Sequence, residues 1–494
     1  MLILTPYCLA QSPGEIVGTT FIDNLYFNTG TNRIAQDTEG GLHVCWTKKT
    51  DLDSLSVFYN YRSPEGDWQY SNEGNRISVV DGAWCCNLDL GPDDCLTVFY
   101  QRGSFLLNSE YNNLGEQWIT WGWDSGWPKG AHNQSSGRFH LLFFDYWNTD
   151  QIYGSSSDGL SWPDWQSTNS QFNNFWAIST SNISQRTAII LSISDNLAYN
   201  LSEDGITWDF ENSIRITDID TSDNQTLEMA YSDLLFDNDD NLNIVFNTYS
   251  TPYPATSTLW HWSEESNEIT QIAQFGPFIS GRPLVGPNLG VDSDNNLFCV
   301  WTGFNPEDES SGFNPNGDLY MSYSADGGGS WSDYQNITNS QTPGCLPGDC
   351  DSDDYSSLAE TVDEHLHILY INDKYAGFTP PSTENQMLYL AVPNPLYVGI
   401  TETESLPVSM KVLSNFPNPF NAQTTISFSL EHQSAVNISI YDITGRLVEM
   451  LTSNTYEAGS HSLTWNATEH PSGIYFARLA ADKFVNASRM VLLK

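Results

Sequence analysis

The sequence predicts an all-β protein in two parts, a seven-bladed β-propeller, with six blades as the alternative, followed by a small Ig-like β-sandwich. Three observations carry this expectation. A segment of apolar, any, apolar, any, aromatic residues recurs seven times in the first 400 residues, usually after an acidic or Gly turn. Its alternation has period two, the pattern of a strand with a buried face and not of a helix. Past residue 405, charge, Cys and Trp content all change together.

The copies lie at Leu42, Val44 and Trp46; Leu96, Val98 and Tyr100; Phe139, Leu141 and Phe143; Leu242, Ile244 and Phe246; Leu297, Cys299 and Trp301; and Leu366, Ile368 and Tyr370, with a weaker one at Ala188 and Ile190. Their spacing averages 54 residues, enough for the roughly 40–50 that a four-stranded blade takes. The last copy has strands at 355–362, 366–371 and 387–392 but no fourth before the linker. The strand-like segment 14–27 precedes the first copy and is free to complete that blade, which would close the ring and remove an open edge.

The chain has 18 Lys+Arg against 61 Asp+Glu, a net charge of −43. So negative a field repels phosphate backbones and anionic membranes, which excludes nucleic acid as a partner. No apolar run approaches the roughly 20 residues of a membrane-spanning helix. Residues 406–494 contain equal numbers of basic and acidic side chains, and the first 405 carry the whole net charge, all eight Cys and 16 of 17 Trp. We therefore expect a residual signal peptide at 1–10, a propeller at 14–395, a linker at 396–410 and a sandwich at 411–494.

Cysteine placement suits an oxidising compartment. Cys345 and Cys350 flank a turn-like Leu-Pro-Gly-Asp segment, and Cys85, Cys86 and Cys95 bracket another turn around Gly91 and Pro92. Local disulfides are expected in both places, with Cys45 and Cys299 as buried thiols inside apolar strands.

In the tail, Asn-Phe-Pro-Asn-Pro-Phe-Asn at 415–421 precedes an alternating strand. Ile440, Tyr441 and Asp442 follow with Gly445 and Arg446, then Ala458, Gly459, Ser460 and His461 leading to Trp465, then Ser472 to Phe476, and the chain stops at Met490, Val491, Leu492, Leu493 and Lys494. This tail closely resembles the C-terminal sorting domains of the bacterial type IX secretion system. The resemblance implies export through the periplasm to the cell surface or medium, with the secretion machinery as a partner.

A second recurrent element follows several of the apolar strands. Ser324-Ala325-Asp326-Gly327-Gly328-Gly329-Ser330-Trp331 is a full Ser-x-Asp-x-Gly-x-x-Trp box, 156–162 and 202–208 are one residue short, and 63–68 is degraded. These resemble the Asp boxes of sialidase-like (BNR-repeat) propellers. Physically each is a hairpin turn in which Gly takes positive φ, Asp and Ser bind turn amides, and Trp packs beneath the sheet.

Turns joining strands one and two share a face with these boxes, so the opposite face carries the strand-two-to-three loops. Those at 247–258, 302–318 and 372–386 are long and hold Tyr249, Tyr253, Phe304, Phe313, Tyr375 and Phe378. They should form a one-sided wall over the channel mouth, the usual seat of binding on a rigid scaffold. The link 118–127 adds Trp121, Trp123 and Trp127, whose flat rings suit stacking on sugars, with Asp124 beside them. Asp349, Asp351 and Asp353 alternate hard oxygens and form a candidate calcium site. No cofactor is otherwise required.

The sialidase-like resemblance also implies site residues. Arg33, in Asn-Arg-Ile-Ala, resembles the Arg of a first-blade Arg-Ile-Pro motif, and Tyr355, in Tyr-Ser-Ser-Leu-Ala, the nucleophilic Tyr. Arg282 would be a second carboxylate clamp and Asp53 the acid. Against this, no third Arg has a matching context and no Glu can be placed beside Tyr355. A polysaccharide lyase would instead recruit His132. The leading expectation is a binder of extracellular glycan, with a sialidase-like glycosidase or lyase as one alternative and a protein-binding scaffold as another.

Overall fold

The computed structural model describes residues 12–21, 32–51, 54–70, 73–78, 82–102, 105–111, 118–124, 126–145, 150–159, 161–162, 164–171, 177–193, 196–219, 225–250, 254–278, 283–376, 383–397, 414–416, 420–430, 434–442, 446–457, 459–468, 470–481 and 484–494. The chain divides into two compact units, Met1–Tyr397 and Val398–Lys494. Among the described residues no helix is long and apolar enough to cross a membrane.

The first unit is a β-propeller. Its described residues form seven sheets. Their first strands are Ile34–Gln36, Ala83–Leu90, Gly126–His132, Ile178–Thr180, Gln225–Phe236, Leu284–Asp292 and Ser352–Leu358, numbered here as sheets one to seven. Each first strand touches that of the next sheet, and the seventh touches the first, so the ring is closed.

Every copy of the apolar repeat is the second strand of its sheet, from Leu42–Asp51 in sheet one to His365–Asp373 in sheet seven. These strands are buried on both faces between neighbouring sheets, with Trp46, Trp301 and Tyr370 at 0 % exposure. The same strands carry a feature not evident from the repeat alone. His43, His140 and His367 each follow the first apolar residue of the copy, and each ring Nδ1 hydrogen-bonds a third-strand tyrosine hydroxyl, of Tyr59, Tyr153 and Tyr389, at 2.9, 2.8 and 2.7 Å. Each pair satisfies the hydroxyl and Nδ1 inside the sheet, while Nε2 of His140 is left buried without a partner.

Asp-initiated turns connect strands one and two. Asp37, Asp237 and Asp292 each accept two main-chain N–H groups through Oδ1, from residues two and four ahead, at 2.6 to 3.0 Å. Gly40, Asp240 and Asn295 supply the positive φ such a turn needs.

Sheet seven is completed from the start of the chain. Glu15–Thr20 pairs antiparallel with the third strand, Asn385–Pro393. Asn372 Nδ2 reaches Ser12 Oγ at 2.6 Å, and the Tyr370 hydroxyl donates to the Pro13 carbonyl. The strand expected over 355–362 is interrupted: Ser352–Leu358 belongs to sheet seven, but Thr361–Val362 pairs parallel with Leu284–Asp292 of sheet six.

In the turn at 324–331, Asp326 Oδ1 accepts Ser324 Oγ and Ser330 N at 2.7 and 2.8 Å, and Gly328 N donates to Ser324 Oγ at 2.8 Å. Trp331 meets His261 edge to face at 5.3 Å. The shorter copies repeat the bonding, with Ser156 to Asp158 and Ser202 to Asp204 at 3.0 Å each.

Cys345 and Cys350 are disulfide-bonded. The disulfide expected around Gly91 is not formed: no disulfide joins Cys85, Cys86 and Cys95. The register explains it. Leu90 faces Leu96 beside the turn, so Cys95 sits at that end of the hairpin, while Trp84, next to Cys85, faces Gln101 at the other. A disulfide needs Cα atoms within about 7 Å.

The second unit stacks a three-stranded sheet, Ser414–Phe416, Gln423–Leu430 and Gly459–Asn466, on a four-stranded one, Leu447–Tyr456, Ser434–Asp442, Gly473–Ala481 and Phe484–Leu492. Phe420, Ile426 and Trp465 meet Ile440, Tyr475 and Met490 between them. The tail motifs serve this core. Trp465 Nε1 donates to Glu449 at 3.0 Å, the Tyr475 hydroxyl to the Pro471 carbonyl at 2.9 Å, and Arg446 pairs with Asp442 at 3.1 Å.

Candidate binding face

Five of the seven first strands break register at one level: between Trp84 and Asn87, Gly126 and Lys129, Leu227 and Ser232, Val285 and Asn288, and Asp354 and Ser357. A bulge bends the strand and re-aims its side chains. In three sheets it puts a residue at positive φ: Cys85 at 53°, Gly286 at 62° and Tyr355 at 52°. The strain at Tyr355 is therefore one instance of a device used around the ring.

Around the bulges lie buried Asp233 and Lys129 and half-buried Asp89 and Glu360. Asp89 Oδ2 accepts the main-chain N–H of His132 in the next sheet at 2.7 Å, and Asp233 Oδ2 that of Leu289 at 2.9 Å. Glu360 accepts from Asn32 Nδ2 across the closing seam. These acids latch one blade to the next. Burial pushes Asp89 up to about 7, Asp233 to about 6 and Glu360 to about 8, the last with repulsion from Asp89 and Asp233. Burial also draws Lys129 down to about 7, against the attraction of Cys85 and Asp233.

Arg33 is 2 % exposed. Its Nη2 donates to the carbonyl of Tyr355, and its main-chain N–H donates to Ser357 Oγ at 2.9 Å. Nε and Nη1 find no acceptor. Burial lowers its pKa, and the groups that counter this are the thiols of Cys86 and Cys45. The structure thus brings Arg33 and Tyr355 together, but through the tyrosine main chain. The Tyr355 ring packs against the apolar cluster between sheets one and seven, a cluster that includes Trp46 and Tyr389. Arg282, Asp53 and Tyr253 lie outside the described residues. His132 stacks on Phe139 at 3.8 Å, and burial lowers it to about 4, the condition of a core histidine.

The wall over the channel mouth takes a different form from the loops expected. In sheet six, strands Leu297–Glu309 and Pro315–Ser324 extend the hairpin, pairing Phe304 with Gly317 and Glu309 with Pro315. The polar composition of 302–318 reads as loop, yet an exposed hairpin keeps its ladder without an apolar face. At its tip Phe313 has φ 62° and is 80 % exposed. Ser311 N donates to the Cys345 carbonyl at 2.8 Å, and Asn316 Nδ2 reaches Asp308 at 3.0 Å. The Thr342 N–H binds Asp308 at 3.0 Å, and Gly348 N binds the Lys374 carbonyl at 2.8 Å. The hairpin tip, the disulfide loop and the start of the sheet-seven loop, where half-buried Tyr375 lies, thus form one braced platform with Phe313 and Leu346 exposed.

The three aspartates of the expected calcium site have separate surroundings. Asp351 is held by Lys374 Nζ at 2.5 Å, and Asp353 accepts Ser340 Oγ at 2.6 Å and Asn372 Nδ2 at 3.0 Å, while Asp349 is exposed. Asp349 and Asp351 precede the strand Ser352–Leu358 and only Asp353 lies in it, so the three carboxylates do not share a strand face. Among the described residues no group of three His, Cys, Asp or Glu side chains is placed to hold a metal. The tryptophans expected in a link instead belong to strands. Trp121 and Trp123 lie in Trp118–Asp124, paired with Asn108 and Leu106, and Trp127 lies in the first strand of sheet three.

Residues 414–493 match the secretion system C-terminal sorting domain. The tail is a sorting module. The chain that carries it is therefore marked for type IX export to the cell surface or beyond. No curated protein matches the chain. Among solved structures it is similar to the polysaccharide lyase Uly1, with 10% identity and TM-score 0.47 over 78% of this chain and 94% of that one. It is also similar to the α-L-arabinanase of Penicillium chrysogenum, with 9% identity and TM-score 0.39 over 77% and 98%. A third similar structure is PorZ, a surface component of the type-IX secretion system of Porphyromonas gingivalis, with 11% identity and TM-score 0.33 over 94% of this chain and 60% of that one.

Proposed function

We propose that this exported propeller binds extracellular glycan on the face that carries the strand-two-to-three hairpins. The observation that carries the reading is Phe313, an aromatic ring held in solvent on a strained tip that hydrogen bonds and a disulfide brace. A stacking surface that is already rigid loses little conformational entropy on binding. Tyr375 stands beside it, and Trp121, Trp123, Trp127 and Tyr253 are the further candidates for ring stacking. The Ser-x-Asp turns are read as Asp boxes of the sialidase-like kind. Their hydrogen bonds close within the turn, which gives them a structural role.

The test is a glycan array on the full chain, followed by titration of the best ligand. Phe313→Ala and Tyr375→Ala should each weaken binding by about tenfold, or about 1.4 kcal/mol, a typical aromatic contribution, with no change in melting temperature. Unaltered affinity in both variants, or silence on the array, would sink the reading, and the latter would favour a protein partner.

One observation favours a second reading, a sialidase-like hydrolase: the two unpaired nitrogens of Arg33, Nε and Nη1, suit a carboxylate. On that reading Tyr355→Phe abolishes release of sialic acid and leaves binding nearly intact.

A further inference from the structure

We propose that Cys45 and Cys86 form a second disulfide, one that joins the second strand of sheet one to the first strand of sheet two. The two residues meet across the seam between the blades. Cys45 and Thr47 alternate onto one face of their strand, Thr47 Oγ1 lies 3.7 Å from Cys86 Sγ, and the two thiols, unbonded in this structure, are near enough for each to perturb the other. Both cysteines are 0 % exposed in one apolar cluster, between Val57 and Tyr59 on one side and Leu88 and Val98 on the other.

Main-chain bonds set the level of the two strands. Cys45 N donates to the Arg33 carbonyl at 2.9 Å and Leu88 N to the Asn32 carbonyl at 2.7 Å, so both strands are tied to adjacent residues of the same segment. Cys86 lies in the bulge between Trp84 and Asn87. Neither thiol has another task in the fold: Cys299, the counterpart of Cys45 in sheet six, lies in a different cluster, with no cysteine beside it.

The reaction is thiol–disulfide exchange, with Cys86 taken as the attacking thiolate. This thiolate displaces one sulfur of an oxidant's disulfide to give a mixed disulfide. Cys45 then loses its proton and attacks the Cys86 sulfur, which expels the second oxidant thiolate. The two thiols give up two electrons and two protons, and the oxidant, a protein disulfide of the exchange type, leaves as a dithiol. Because both sulfurs are fully buried once sheets one and two have packed, the bond forms while that seam is open, during folding in the oxidising compartment on the export route.

The test is disulfide mapping of the full chain produced in an oxidising compartment. The protein is denatured without reductant, alkylated, digested and weighed. The expected result is a linked peptide containing Cys45 and Cys86, about 2 Da lighter than its two thiol halves, with Cys85, Cys95 and Cys299 alkylated. Alkylation of both Cys45 and Cys86 would overturn the proposal, as would linkage of either to another cysteine. A second measurement separates the bond from mere packing. Refolding under reductant should lower the melting temperature of the wild type more than that of Cys45→Ala, since both retain Cys345 and Cys350. Equal shifts would count against it.

Discussion

Arg33 donates through Nη2 to the main-chain carbonyl of Tyr355, and this contact ties the innermost strand of sheet one to the bulge of sheet seven. The guanidinium is buried with no carboxylate among its hydrogen-bond partners, and two of its nitrogens are unpaired. Removing an uncompensated buried charge relieves desolvation. Arg33→Met should therefore melt at the same or a higher temperature, and lose any affinity for carboxylated sugars. A fall of more than a few degrees would mean that the single bond to Tyr355 outweighs the burial of charge.

Stability should decline as pH rises from 6.5 to 8. Burial lifts Glu360 to about 8, Asp89 and Asp354 to about 7 and Asp233 and Asp353 to about 6. Each holds its proton more tightly in the native state than in the unfolded chain, where carboxyls titrate near ~4. Their contribution is complete only below that pH and is lost as pH passes through 6 to 8. Burial lowers His132 and His261 to about 4 and His140 to about 3, and these act in the opposite sense only below the unfolded histidine value of ~6.5. Lys129, drawn down to about 7, acts in the opposite sense only above that pH. Melting curves between pH 6.5 and 8 should show the decline, and Glu360→Gln should flatten its upper part. A melting temperature that rises over this range would contradict the assignment.

Gly328→Ala should be among the most damaging single changes. The residue has φ 87°, and a Cβ there would lie 1.9 Å from the His261 ring. Positive φ and overpacking together cost about 2–4 kcal/mol. Asp326→Ala should cost less, about 1–3 kcal/mol from its lost turn bonds. Denaturant unfolding measures both, and affinity of the folded protein for its ligand should not move.

Removal of residues 1–20 should open the ring. It strips the Glu15–Thr20 strand from Asn385–Pro393 and exposes a full ladder edge, a template for association between chains. Size-exclusion chromatography should show oligomers, and the melting temperature should fall. A monomer of unchanged stability would show that closure does not depend on this strand.

Deletion of residues 398–494 should leave the propeller folded but retained in the periplasm. The tail matches a sorting domain and has its own core, centred on Trp465 and Ile440. Fractionation and immunoblotting of the host check this, and the truncated chain in the medium would contradict it.

The second strands were legible because they are buried on both faces and repeat in sequence, and the closing strand because a blade lacked one. The first strands were harder to read. Bulges at Cys85, Gly286 and Tyr355 break their alternation, and their polar residues serve neighbours in the next sheet, distant in sequence. Asn288, for example, donates to the carbonyl of Ser356 at 3.1 Å, and Asn87 to that of Gly130 at 2.9 Å. The wall residues Phe313 and Tyr375 stood out by type and position, but that a hairpin bears Phe313 depends on pairing no local pattern encodes. Aspartates at alternate positions resemble metal ligands in sequence, whereas Lys374 and Ser340 determine what Asp351 and Asp353 do.

The strand that leads out toward the C-terminus, Asn385–Pro393, is hydrogen-bonded on both sides, to His365–Asp373 and to Glu15–Thr20. Tension applied to the C-terminal end therefore cannot peel a free edge one bond at a time. It must shear two ladders together, and one of them is made with the chain's own opening segment. A pull on the segment that leaves the ring is resisted by the segment that enters it, and the ring transmits the load as a loop whose two ends are clamped in a single sheet.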